Sequence, residues 1–499
     1  MFKTLQHGDG IRMKNYRIKV FFTTLVLLMM GMMPSVNAQQ PPIYNNLPPE
    51  IRNILNQSRV SPYGMSVYVH AVGSPRPLLA FKENVARSPA SVMKLVTAHV
   101  ALGVLGPNHR WAVDIFTTGS IQNGRLTGDV YIKGNGAPDF ATEDLRNLLS
   151  QLRQRGIYSI KGRLVFDNTF FNTLNLNPGA FDGKPYSAYN AQPDALLYNE
   201  RMTDFSVNAR GKRVSVKAMT PAYNLRIVNK MRKVRRGCRP RIGISRRGGQ
   251  VTATFRGTFS SRCGTRHYSR VLMNPANTLF SAINTIWRHD LRGSIQTRFA
   301  IGRTPSHARK LATFHSRTLA QILPKLGKDS NNVMARQLML AIGAKRYGAP
   351  GTPRKGAEAI GDFLNKRGLH FPELRIENGS GLSRRARISA KHISDLLMDA
   401  YKSPYRNLFM QSLSIAGIDG TMKRRLRHTP VKGRGFFKTG TLRNVRGVAG
   451  YVKAADGKTY MVSILHNDPK ASSRARKSHD RLIQWVFWGG RQQNVAQGY

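Results

Sequence analysis

The chain has 499 residues, 41% of them hydrophobic, which makes it too apolar for a disordered protein and too long for one ordinary core. Lys and Arg number 79 against 25 Asp and Glu, a formal charge of +54. That excess says nothing of fold; it predicts salt-sensitive attraction to polyanions, and with only two cysteines a structural zinc site is not expected.

Lys3, Arg12, Lys14, Arg17 and Lys19 form a basic leader, residues 20–33 are uncharged and apolar, and Val36-Asn37-Ala38 places small residues at a cleavage spacing. Residues 1–38 therefore read as a secretory signal cut after Ala38, delivering the protein to the periplasm or cell envelope. A retained membrane anchor would need about 18 apolar residues, more than this run supplies. In an oxidising compartment Cys238 and Cys263 can close a disulfide, worth about 3 kcal/mol by chain entropy, or remain two unpaired thiols.

Residues 39–49 read as a flexible leader, 65–70 and 78–81 as strands, and 91–105 as a largely buried helix. A different texture begins near Trp111, with strands expected at 130–133 and 164–166 around a helix over 142–155. From Phe205 to His289 there is no Asp or Glu, and this basic block carries both cysteines and short β-like runs such as 251–255. Helical texture returns after about 310, and three strands follow at 436–441, 446–453 and 461–466, with an Asp456-Gly457 turn and a closing helix over 481–488. Strands at both ends with helices between predict a mixed α/β catalytic domain interrupted by a long insertion. The expected division is 39–110 for its first part, 111–300 for inserted domains with a basic β-rich module at about 205–270, and 301–490 for its second part.

Ser91-Val92-Met93-Lys94 opens the first long helix. Three residues apart on a helix, the two side chains share a face, so the Lys94 amine can take the Ser91 proton if its pKa is lowered. About two such S-x-x-K matches are expected by chance in a chain this long, and alone the motif is weak. Ser330-Asn331-Asn332 adds an S-x-N in which Ser330 can relay a proton to a leaving amine and Asn332 can hold a substrate carbonyl; an Asx-rich turn is its plain alternative. Lys438-Thr439-Gly440, followed by Thr441, offers a cation and a hydroxyl for a terminal carboxylate, a glycine for close backbone approach, and a Thr441 N–H that can join that of Ser91 in an oxyanion hole. The ordered set S-x-x-K, S-x-N, K-T-G is far more specific than any member.

With these motifs the sequence resembles the low-molecular-mass class C penicillin-binding proteins, D-alanyl-D-alanine carboxypeptidases and endopeptidases of the S13 peptidase type. Asn378-Gly379-Ser380-Gly381-Leu382-Ser383-Arg384 resembles the family's D-G-S-G-L-S-R signature, and Ala416-Gly417-Ile418-Asp419-Gly420-Thr421-Met422 its A-G-x-D-G-T-L. The resemblance implies a serine β-lactamase/transpeptidase-like α/β (α+β) catalytic domain whose large insertion forms two smaller, β-containing domains. It implies Ser91 as the acylated residue, Lys94 as its base, Ser330 and Asn332 lining the cleft, and Lys438 and Thr439 at the carboxylate end, with no cofactor or metal. Peptidoglycan peptides are the implied substrates and β-lactams the covalent inhibitors. Anionic envelope polymers are a further partner suggested by charge, and no specific nucleic acid is expected. Asn331 and Asn378 stand where the family pattern has Asp, removing a negative charge twice. Competing readings are a β-lactamase or esterase on the same scaffold, for which no E-x-x-L-N stretch is found between the first two motifs, and a non-catalytic polymer binder.

Overall fold

The computed structural model describes residues 44–491 apart from 175, 296 and 297, so the proposed signal and its cleavage point lie outside the described residues. A six-stranded sheet is assembled from both ends of the sequence, in the order Ser414–Ile415, Gly435–Leu442, Val445–Lys453, Thr459–Asn467, Met65–Ala71, Leu79–Phe81, every neighbour antiparallel. Its central strands are apolar on both faces. Val448, Val452, Val462 and Ile464 pack with the helices Pro49–Gln57 and Arg476–Phe487, while Ala449, Tyr451, Met461 and Leu465 face the other way into the main core. This period-2 division is what a strand buried on two sides requires, and each fully buried Val or Ile contributes about 1.5–3 kcal/mol. The main core is filled by the helices Lys94–Val104, Asn332–Tyr347, Pro353–Lys366 and Ala390–Lys402.

The inserted segment builds a five-stranded mixed sheet in the order Phe299–Ile301, Leu164–Asp167, Val130–Gly134, Ala112–Thr117, Arg309–His315. Val130–Gly134 and Leu164–Asp167 are parallel, which demands a crossover, and the helix Thr142–Gln154 supplies it. Leu145, Leu148, Leu149 and Leu152 lie on one stripe of that helix and are buried. The pairing of Arg309–His315 with Ala112–Thr117 crosses the boundary expected at 300.

The basic block forms two three-stranded sheets. One runs Ser215–Ala218, Thr203–Asn208, Arg266–Arg270; the other runs Leu225–Lys233, Gln250–Phe259, Cys238–Arg247. Phe205, Val207, Val251, Ala253, Phe255 and Phe259 make a small core of their own, with the Phe205 and Phe255 rings 5.1 Å apart. Cys238 and Cys263 are joined in a disulfide with Cα atoms 6.5 Å apart, tying the start of one strand to the loop beyond another.

Candidate active site

The expected helix over 91–105 begins instead with a tight turn, Ala90–Met93, before the α-helix Lys94–Val104. Ala90 holds a left-handed φ of +47°, a conformation that costs an alanine about 1 kcal/mol or more and persists only under tight packing. The packing is visible. A Cβ on Gly440 would lie 2.6 Å from the Pro89 carbonyl oxygen and 2.9 Å from the Ser91 nitrogen, so glycine alone lets the K-T-G strand press against the turn that carries Ser91.

Lys94 is 1% exposed, and its Nζ touches three groups: Ser91 Oγ at 2.9 Å, Asn332 Oδ1 at 2.7 Å and the Ser380 carbonyl at 2.7 Å. The last two can only accept hydrogen bonds. A neutral amine has two N–H groups, so bonding both acceptors leaves its lone pair for the Ser91 hydroxyl. Burial pushes the Lys94 pKa well below the ordinary lysine value, and the nearby positive charges of Lys438 and Arg336 push it further the same way.

Ser330 sits at φ +59°, and its Oγ accepts a hydrogen bond from Lys438 Nζ at 2.8 Å. Lys438 is 1% exposed, and burial lowers its pKa to about 7. Its neighbour Thr439 donates to Thr421 Oγ1 at 2.8 Å, and Gly440 meets the Ser91 turn as described. Thr441 follows on the same strand, exposed. Among the described residues, the Ser414–Ile415 strand pairs only with Phe437 and Phe436, so from Lys438 onward that edge of the strand is unpaired. Asn332 begins the helix Asn332–Tyr347 and is already engaged: besides accepting from Lys94, its Nδ2 donates to the Tyr189 carbonyl at 3.1 Å. One of its two amide hydrogens remains for a substrate carbonyl.

The two departures from the family pattern have physical accounts. Asn331 caps the helix, its Oδ1 accepting from the Met334 N–H at 3.0 Å. Its amide faces the Glu200 carboxyl, whose pKa burial raises and Asn331 lowers; an Asp at 331 would set two carboxylates against each other. Asn378 accepts from Ser380 N–H at 3.0 Å and Ser380 Oγ at 2.8 Å and donates Nδ2 to the Leu382 carbonyl at 3.0 Å. A carboxylate could make the first two bonds but not the third. This loop delivers the Ser380 carbonyl to Lys94, so Asn378 is a positioning residue. Asn378→Asp is expected to add a negative charge beside Lys94, raise its pKa and move the acid limb of the pH profile for β-lactam acylation upward by roughly one unit. An unmoved limb would show that the loop amide does not set the basicity of Lys94.

Sequence motifs alone did not reveal the Ser380 carbonyl, the Tyr189 carbonyl, Thr421 or Arg336 as parts of this site. Ser380 and Thr421 do lie inside the two family-like signatures, which was the available signal. A separate cavity of about 600 Å³ touches Asn378, Leu382 and Arg336 but is lined by none of Ser91, Lys94, Ser330 or Lys438. No cluster of three or more ligating side chains suited to a metal ion is found among the described residues.

An antiparallel sheet packed on helices and interrupted by β-containing inserts makes this an α+β protein of several domains. Residues 47–486 match the D-Ala-D-Ala carboxypeptidase 3 (S13) family, and the chain belongs to it. It is a serine-type D-Ala-D-Ala carboxypeptidase. Among its relatives, the D-alanyl-D-alanine carboxypeptidase of Actinomadura sp. (strain R39) is 29% identical over 399 residues, covering 76% of this chain and 73% of that one. The D-alanyl-D-alanine carboxypeptidase DacB of Haemophilus influenzae is 25% identical over 406 residues, covering 79% and 84%. The crystal structure of penicillin binding protein 4 (dacB) from Haemophilus influenzae superposes with a TM-score of 0.72 at 21% identity, covering 88% of this chain and 99% of that one. The same protein complexed with a novel β-lactam gives a TM-score of 0.69 at 22% identity over 88% and 98%.

Proposed function

We propose that the cleft bounded by Ser91, Lys94, Ser330 and Lys438 cleaves D-alanyl-D-alanine peptide bonds of peptidoglycan through an acyl-enzyme on Ser91. The observation that carries this reading is the coordination of Lys94 Nζ, whose two acceptor-only partners leave the lone pair for Ser91. Ser91 Oγ attacks the carbonyl of the penultimate D-alanine as its proton passes to Lys94. The N–H groups of Ser91 and Thr441 receive the oxyanion. The C–N bond then breaks, and the Ser330 hydroxyl hands the proton from Lys94 to the departing amine. Lys438 and Thr439 hold the carboxylate end, and Asn332 and Gly440 shape the acyl side. Water, activated by the same amine, releases the acyl-enzyme. A terminal D-alanine as leaving group makes this a carboxypeptidase step, and a cross-linking amine makes it an endopeptidase step.

β-Lactams mimic the acyl donor and end covalently bound to Ser91. The leader over 1–38 is taken to direct export, with cleavage after Ala38, to the periplasm or cell envelope. The segment from 111 to 315 is taken as the inserted domains and the remainder as the catalytic domain. The deciding experiment is adduct mapping by mass after incubation with a penicillin, alongside digestion of defined monomeric and cross-linked muropeptides. The added mass is expected on the peptide containing Ser91, and none in Ser91→Ala; labelling elsewhere, or equal labelling of the variant, would end the proposal.

A further inference from the structure

The second sheet of the basic block has one face packed on its small core and one face turned to solvent. Register fixes what the outer face carries. Lys230, Arg256 and Arg241 lie directly across the three strands in one row, and Arg232, Thr258 and Arg239 form the next. The five cations in these two rows are all exposed. Strands are about 4.8 Å apart and residues two apart on one face about 7 Å, so the five occupy a patch of about 10 by 7 Å. Thr258 sits between Arg232 and Arg239, and Thr254 and Thr252 continue the same face beyond Arg256, supplying further hydroxyl donors.

Like charges directly opposite on neighbouring strands destabilise a sheet. Elsewhere the protein pairs such groups, as in Arg163–Asp129 at 2.7 Å and Arg425–Asp480 at 2.6 Å. Here no carboxylate is in reach: among the described residues none of the five forms an ion pair, and no Asp or Glu occurs from Phe205 to His289. A face that gathers forked donors in register and excludes their internal partners is complementary to an external array of anions.

We propose that this face is a second, non-catalytic docking site for the carboxylate-bearing peptides of the same peptidoglycan that the cleft cuts. The choice of polymer rests on the proposed catalytic function. The enzyme's substrate is itself a network of peptides bearing free carboxylates, and the guanidinium fork fits a carboxylate with two hydrogen bonds. Contact at two places raises the local concentration of scissile bonds at Ser91 without any change in the chemistry.

The test uses the full chain carrying Ser91→Ala, so that turnover does not consume the polymer, with retention on purified sacculi measured across a salt series. Retention is expected to fall steeply with salt, to weaken roughly tenfold in the triple variant Lys230→Gln, Arg241→Gln, Arg256→Gln, and to be lost on sacculi whose carboxylates have been amidated. A charge-matched control with Lys366→Gln, Lys458→Gln and Lys477→Gln, all exposed on other elements, should retain its binding. Equal weakening in the control, unchanged retention on amidated sacculi, or binding only to anionic vesicles or polyphosphate would each overturn the proposal. In the Ser91 parent, the triple variant should hydrolyse a short soluble D-Ala-D-Ala peptide within about twofold of the unmodified rate. Failure of that peptide to be cut by the unmodified enzyme would instead refute the catalytic reading, separately from any result on retention.

Discussion

Lys94→Met is expected to lower the rate of β-lactam acylation and of D-Ala-D-Ala hydrolysis by about 10²- to 10⁴-fold, the range that loss of a positioned general base produces. Methionine fills nearly the same volume and removes only the titrating amine. The loss should fall on acylation and on release of the acyl-enzyme, both of which the proposed mechanism assigns to this amine, and should spare ground-state binding, because Lys438 and the K-T-G strand stay in place. Two acceptors, Asn332 Oδ1 and the Ser380 carbonyl, would lose their donor in the variant, and their burial predicts a modest fall in Tm as well. Stopped-flow acylation by a chromogenic β-lactam, read beside thermal melts, separates the two effects. A variant that acylates within tenfold of the parent would transfer the base role away from Lys94.

Lys438 carries the second large effect, and its sign can be worked out from a pKa of about 7. Binding a substrate carboxylate needs the protonated amine, so kcat/KM for a peptide ending in a free carboxylate should fall as pH rises through about 7. A substrate amidated at that end should lack this limb. Lys438→Met should cost about 10²- to 10³-fold on the free acid and far less on the amide. Stability should move the opposite way. The folded pKa lies below the unfolded value of about 10.4, so between these limits the unfolded chain holds the extra proton and stability rises with pH. Below about 7 the full penalty of the buried charge is present, and there Lys438→Met should melt higher than the parent. A pH-independent difference in Tm between the two proteins would contradict the assignment.

Chemistry was the part most legible in the sequence. Reaction with a seryl nucleophile constrains residue type and spacing tightly, so the sequence itself singles out Ser91, Lys94, Ser330, Asn332 and the Lys438 triplet; in the structure Lys94 meets Ser91 and Asn332, Lys438 meets Ser330, and Gly440 lies against the Ser91 turn. The two-face apolar strands near residues 445–467 were equally plain. What escaped, beside the Thr421 and Arg336 side chains, was mostly what acts through backbone. The Ser380 and Tyr189 carbonyls have no side-chain signature, and the Ala90 strain that turns the helix start into a tight corner is carried by an ordinary alanine. Asn331 and Asn378 looked like lost charges because sequence shows the missing carboxylate and not the Glu200 or Leu382 groups that make an amide the better choice. The strand Arg309–His315 also escaped, because Arg-Lys-Leu-Ala-Thr-Phe-His alternates too weakly to announce it and its partner lies nearly two hundred positions upstream.

The strand Met65–Ala71 is inserted beside Thr459–Asn467, and Asn467 clasps the backbone of Ser88 through both a 2.8 Å and a 3.0 Å hydrogen bond across 379 positions. A nucleophile emerging early from the ribosome thus waits for a segment made much later before its corner is pinned. Vectorial synthesis therefore proceeds with a chemically silent polypeptide, and hydrolytic capacity switches on only when the sheet closes. For an activity able to open the wall that contains the cell, topology itself provides the delay.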